Sequence, residues 1–199
     1  MHFIGMLALR MDMGIGYAMT ETLVSLLLAV GGSALALRWV ARDPYSLPNL
    51  ATGGALLGLA VCLMHYVGMY GMRFGGLFDW SAGLVAASVA IAWLASTAAL
   101  LLAFMVRGVT ARAAAALVMA GAVCAMHYTG MAAATFICTS PTPGAIPQGF
   151  AVVSAMDLPM LVAVLAFGMA FVISVDQVFQ HVGRNPARLR PDRDAGASR

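Results

Sequence analysis

The stretch "CLMHYVGM", residues 62–69, has close copies elsewhere in the chain: "CAMHYTGM" stands at 124–131 and the chain opens with "MHFIGM" at 1–6. Three of the four histidines, His2, His65 and His127, lie inside these words. The words begin at Met1, Met64 and Met126, an almost even spacing. What each word can do depends on the medium in which it sits.

That medium is a bilayer. Hydrophobic residues make up 62% of the chain, charged residues only 10%, lysine is absent and the mean hydropathy is +0.90. A soluble domain carries about a quarter charged residues. Crossing roughly 30 Å of hydrocarbon takes about 20 helical residues, and apolar runs of that length are read at 19–41, 49–71, 81–106, 113–137 and 157–180, with a short apolar stub at 1–9. The N-terminus lacks the basic segment, apolar run and small-residue site of a cleaved signal peptide. The expected fold is all-α: a polytopic transmembrane helical bundle over 1–180, followed by a basic cytoplasmic tail over 181–199.

Prolines and charges mark the connections. "RDPYSLPNL" (42–50), "RFGGLFDW" (73–80), "RGVTAR" (107–112) and "TSPTPGAIPQG" (139–149) separate the spans. Asp79 and Asp157 precede apolar runs and are expected to cap helix N-termini. The tail from Gly183 is rich in Arg and Pro and carries no pattern of a folded domain. Arg38, Arg42, Arg107, Arg112, Arg184, Arg188, Arg190 and Arg193 flank one side of the spans, against Arg10 and Arg73 on the other. The positive-inside rule makes the first side cytoplasmic, so the words are expected near the outer face of the membrane.

Each interval between words holds an outer connection, a returning helix, a basic inner connection and an outgoing helix. The architecture expected is therefore three two-helix repeats plus a final helix, with three outgoing helices around one pseudo-symmetric centre. The 1–9 stub is too short to span a bilayer. The expectation is either an upstream start, giving seven spans and an outer N-terminus, or an incomplete first helix.

On a helix, residues four apart share a face. His2 with Met6, His65 with Met69, and His127 with Met131 are so placed, and Cys62 and Cys124 extend the second and third stripes. Gly5, Gly68 and Gly130 leave room for a helix or an ion to approach the backbone. Imidazole with thioether suits copper, Cu(I) in particular, better than magnesium or calcium, which want oxygen ligands. Ionisable side chains within a membrane helix are costly and mark functional sites by default. The competing reading is interhelical hydrogen bonding that fixes the bundle.

Elsewhere the ordinary readings prevail. Met105, Met119, Met156, Met160 and Met169 read as packing, and Cys62 and Cys124 as small apolar residues. Cys138 lies near an outer loop, and Asp176 and His181 lie towards the inner end of the final helix. Tyr66 and Tyr128 are either interfacial aromatics or accessory groups of the site. Gly54 and Gly58 have the spacing of a close helix contact; the Lys-Ser/Thr ending of a nucleotide loop is missing.

"MHFIGM", "MHYVGM" and "MHYTGM" resemble the three signatures of the MHYT family of bacterial membrane sensor domains, over 1 to about 180. The resemblance implies an integral membrane domain with the motifs near the outer face, proposed to bind copper and to sense a diatomic gas such as oxygen, carbon monoxide or nitric oxide. Carried over, the metal ligands are Met1, His2 and Met6; Met64, His65 and Met69; and Met126, His127 and Met131, with Tyr66 and Tyr128 accessory. Phe3 departs from the tyrosine of the pattern. Many relatives continue into cytoplasmic domains that make or degrade cyclic dinucleotides, which implies a cytoplasmic signalling partner or output domain. The residues offer neither an acidic catalytic motif nor a nucleophile with its base, so no enzymatic activity is expected, and no nucleic-acid partner. The alternative function is copper transport or storage; no second ring of Met, Cys or His lies in the inner halves of the spans, which favours a local site.

Overall fold

The computed structural model describes residues 2–6, 14–106, 108–142, 144–145, 149 and 151–183. Its helices are α1 (His2–Met6), α2 (Met19–Val40), α3 (Leu47–Tyr70), α4 (Ala82–Met105), α5 (Val109–Ala132) and α6 (Asp157–Gly183). Five of them, α2 to α6, are long and apolar enough to cross a membrane. Chain contacts divide the protein into two units, Met1–Pro159 and Met160–Arg199. The first holds α1 to α5; the second is most of α6, whose Ser174 hydroxyl donates to the Ala170 carbonyl and whose Gln180 amide donates to Asp176.

Within the first unit each long helix packs on the next, and α3 also meets α1 and α5. The expected close contact along α3 is present. A Cβ on Gly58 would lie 3.0 Å from the backbone of Ala92 and Trp93, and one on Gly54 would collide with Thr97. Two glycines one turn apart thus bring the backbones of α3 and α4 together. At the basic end, Val40, Leu50 and Leu100 close a small core. There the turn from α2 into α3 is held by Ser46, which caps α3 by accepting from the Asn49 N–H, while the Asn49 amide donates to the carbonyls of Val40 and Asp43. The bond to Val40 adds a donor to a carbonyl that has no intrahelical partner at the end of α2.

Short strands, absent from the sequence expectation, lie in the connections that follow each word. They are β1 (Gly16–Ala18), β2 (Met72–Arg73), β3 (Gly76–Trp80), β4 (Ala134–Cys138) and β5 (Val152–Ser154). One antiparallel sheet has the order β2-β1-β5 and so takes one strand from each of the three connections; β3 pairs with β4. The strands tie the three helix exits to one another. Tyr17, on the central strand, is buried and stacks edge-on against Phe3 of α1 at 5.5 Å. An ion pair between Arg73 of β2 and Glu21 of α2 braces the same cap.

Three expectations are corrected. The span read as 113–137 is the helix Val109–Ala132, because Thr135, Phe136 and Ile137 are β-branched or aromatic and pair in β4 instead of continuing the helix. Asp79 does not cap α4: it lies in β3, and Ser81 occupies the N-cap position. Asp157 is the first residue of α6 rather than its cap; its N–H donates to the Ser154 hydroxyl, which in turn donates to the Asp157 carboxylate. Of the arginines used for orientation, Arg10, Arg107, Arg184, Arg188, Arg190 and Arg193 lie outside the described residues, as does the tail.

Candidate metal centre

The three words occupy α1 and the last two turns of α3 and α5, all at the strand-capped end of the first unit. There His2, His65 and His127 are brought together, with only 2%, 0% and 1% of their surfaces exposed. His65 Nδ1 stands 3.1 Å from His2 Nδ1 and 3.2 Å from His127 Nδ1. The rings meet edge-on, with centroids 5.0 to 5.3 Å apart.

The glycines explain how three rings fit. A Cβ on Gly68 would lie 2.7 Å from His2 Nε2, one on Gly130 2.5 Å from His65 Nε2, and one on Gly5 2.5 Å from His127 Nε2. The relation is cyclic: each histidine lies over the glycine of the next word, and the third returns to the first. The expected pseudo-symmetric centre is thus built by the words acting on one another.

Among the described residues the hydrogen-bonding chemistry of this centre is incomplete. A neutral imidazole Nδ1 carries either one proton or one lone pair. Whether it carries the proton or the lone pair, the His65 Nδ1 can make only one well-directed bond, so its two contacts are served together only by a weak bifurcated arrangement. The three Nε2 atoms are buried and have no hydrogen-bond partner among the described residues. Leaving a buried polar group unpaired costs about 1–3 kcal/mol. A cation accepting three Nδ1 lone pairs removes the conflict at the centre, and the three imidazoles are the one such group among the described residues. The residues therefore fit a metal whose ligands include imidazole.

The other expected site residues divide. Met6 and Met69 are buried near the ends of their words, and Met64 and Met131 are partly exposed. Met126 packs with Cys62 and Ala92 in an apolar cluster, and neither Cys62 nor Cys124 joins the histidine group. Met1 lies outside the described residues, and nothing is described of the His181 side chain. Tyr66 lies against His65 and Tyr128 against His127; the Tyr66 hydroxyl is 2.6 Å from Ser88 Oγ, whereas Tyr128 is exposed. Ser88 Oγ donates to the Val85 carbonyl, so the Tyr66 hydroxyl is the donor in their shared bond. Sequence reading missed Ser88; its repeat-related counterpart is Ser25, which likewise is buried and bonds the carbonyl three residues before it.

A helical multi-pass membrane domain, built from an internal repeat and enclosing one buried three-histidine centre, is the class of protein that these features define. The chain belongs to the MHYT family, described as a bacterial signalling protein N-terminal repeat, which matches at residues 1–53, 58–116 and 121–189. It is 46% identical over 145 residues to the bifunctional diguanylate cyclase/cyclic di-GMP phosphodiesterase MucR of Pseudomonas aeruginosa, covering 68% of this chain and 21% of that protein. It is 35% identical to the cyclic di-GMP phosphodiesterase NbdA of the same species, covering 71% and 19%, and 31% identical to the signaling protein YkoW of Bacillus subtilis, covering 72% and 19%. The chain thus spans about a fifth of the length of these relatives. No solved structure matches it.

Proposed function

We propose that this domain binds copper through His2, His65 and His127 near the periplasmic face of the bacterial inner membrane and senses a diatomic gas, passing the signal to a cytoplasmic partner or output domain. The observation that carries the reading is the approach of His65 Nδ1 to both neighbouring Nδ1 atoms without a compatible set of hydrogen bonds. Copper held there supplies a soft centre at which oxygen, carbon monoxide or nitric oxide is recognised. The three glycines hold the imidazoles in place, and the strand cap holds the helices that bear them. Imidazole suits copper better than magnesium or calcium, and the buried Met6 and Met69 thioethers of the words are the candidate soft donors to add to it.

Orientation follows from Arg38, Arg42 and Arg112 at the end opposite the words, which the positive-inside rule assigns to the cytoplasm. The cyclic di-GMP activities of the relatives MucR and NbdA support a cyclic di-GMP enzyme as the class of output. In this reading the chain itself binds and does not catalyse. Transport or storage of copper is the competing reading; a single histidine group at one depth, among the described residues, favours a fixed site.

The test is the metal content of protein purified in a membrane mimetic. Replacing His65 and His127 together by alanine is expected to abolish stoichiometric copper while helical circular dichroism is kept. Met105→Leu and Met169→Leu should leave copper unchanged. Full occupancy in the double-histidine variant would make the words packing and hydrogen-bonding elements.

A further inference from the structure

Between α3, α4 and α5 lies a cavity of about 70 Å³. Leu57 and Val61 of α3, Ala95 and Ser96 of α4, and Ala122 and Met126 of α5 line it. A groove of about 430 Å³ lies next to it towards the basic end of the helices, and Leu57 and Met119 stand on the walls of both. Met126, the residue before His127, is also on its wall.

The size and lining of this space select its occupant. Ser96 is the one polar side chain on the cavity wall, and a buried water needs about two to four polar partners. A cavity with so little to offer water stays dry and takes apolar guests such as xenon. A phospholipid chain is too large for the upper cavity, although the groove below is roomy enough to admit one. Alanines on α4 and α5 keep the passage open where larger residues would close it.

We infer that this cavity is a docking site for a small apolar gas molecule, entered from the neighbouring groove and walled in part by Met126, which adjoins His127 of the histidine centre. As a route to that centre it rests on the sensing function proposed above; as a binding cavity it needs neither metal nor signalling. It would give a gas that is concentrated in hydrocarbon an approach from within the bilayer.

The probe is xenon, applied under pressure to protein in lipid nanodiscs, with methyl NMR of labelled methionines as the readout. Saturable shifts are expected at Met119 and Met126 and not at exposed Met160. Ala122→Phe, which fills the cavity, should lose the Met126 shift, as should Ala95→Leu if the first variant fails to fold. Absence of a saturable shift in the parent, or its persistence in a folded filled variant, would overturn the inference. In copper-loaded protein, the same substitutions should slow carbon monoxide association, followed by infrared spectroscopy; unchanged association would overturn the route. Xenon shifts in a protein that binds no copper would leave the cavity standing while removing the copper reading, so the two failures are distinguishable.

Discussion

The His127 ring lies over Gly5, so close that a Cβ on the glycine would stand 2.5 Å from Nε2, and the same relation joins His65 to Gly130. Glycine in these words is therefore the floor beneath a neighbour's imidazole. Gly130→Ala is expected to displace His65 and, as overpacking, to cost about 1–3 kcal/mol. Gly121 stands on the same helix with nothing within 4 Å of its would-be Cβ. Gly121→Ala should stabilise the helix by up to about 1 kcal/mol through propensity alone. Thermal unfolding and copper content of the two variants check the contrast: only Gly130→Ala should lose metal.

A second expectation concerns Tyr66, which donates its hydroxyl hydrogen bond to Ser88 at 2.6 Å. Tyr66→Phe removes that bond but leaves Ser88 donating to Val85, so the cost should be about 1 kcal/mol. Ser88→Ala leaves the partly buried tyrosine hydroxyl unpaired and should cost more. The first repeat offers the converse test, because Phe3 and Ser25 occupy the corresponding positions. Phe3→Tyr should be tolerated and should raise stability if the new hydroxyl reaches Ser25; a double-mutant cycle with Ser25→Ala measures that coupling.

Much of this could be read before the structure, and the limits are physical. The helices follow from uninterrupted apolar length, and the meeting of three histidines from the repetition of one word on alternate helices. The cyclic fit of histidine over glycine was not legible, because spacing within a word says nothing about which neighbour fills the gap. The strands were missed for a different reason: Gly16–Ala18 and Met72–Arg73 are too short to show an alternating pattern, and their pairing joins residues far apart in sequence. The pairing of β4 with β3 likewise moved the end of α5, since a run such as Thr135, Phe136 and Ile137 reads equally well as helix or strand.

Tyr17 shows how that cap acts on the centre. It is the middle residue of the central strand, 2% exposed, and rests on Phe3 beside His2. Tyr17→Ala is expected to cost about 3–5 kcal/mol, by analogy with other large aromatic deletions, and to weaken copper binding by loosening α1. Burial pushes its phenol up to about 12. Because the folded value is raised, the neutral form is favoured by folding; the contribution is full below the ordinary tyrosine value of about 10 and is lost as pH rises through 12. Tyr17→Phe should keep most of the stability and remove that alkaline decline, as followed by denaturant unfolding across the pH range.

The native cysteines provide a test of orientation that needs no engineering of the bundle. Cys138, at the end of β4, is exposed, whereas Cys62 is buried against Met126 and Cys124 is partly covered. If the capped end faces the periplasm, a membrane-impermeant maleimide added to intact spheroplasts should label Cys138, and Cys138→Ser should lose most of that signal. The complementary position is Tyr45, which is exposed in the basic turn between α2 and α3. In a Cys138→Ser background, Tyr45→Cys should react only after the membrane is permeabilised if its turn, flanked by Arg38 and Arg42, lies in the cytoplasm as proposed. Labelling of Tyr45→Cys in intact spheroplasts, with protection of Cys138, would reverse the bundle and place the histidine centre near the cytoplasmic face.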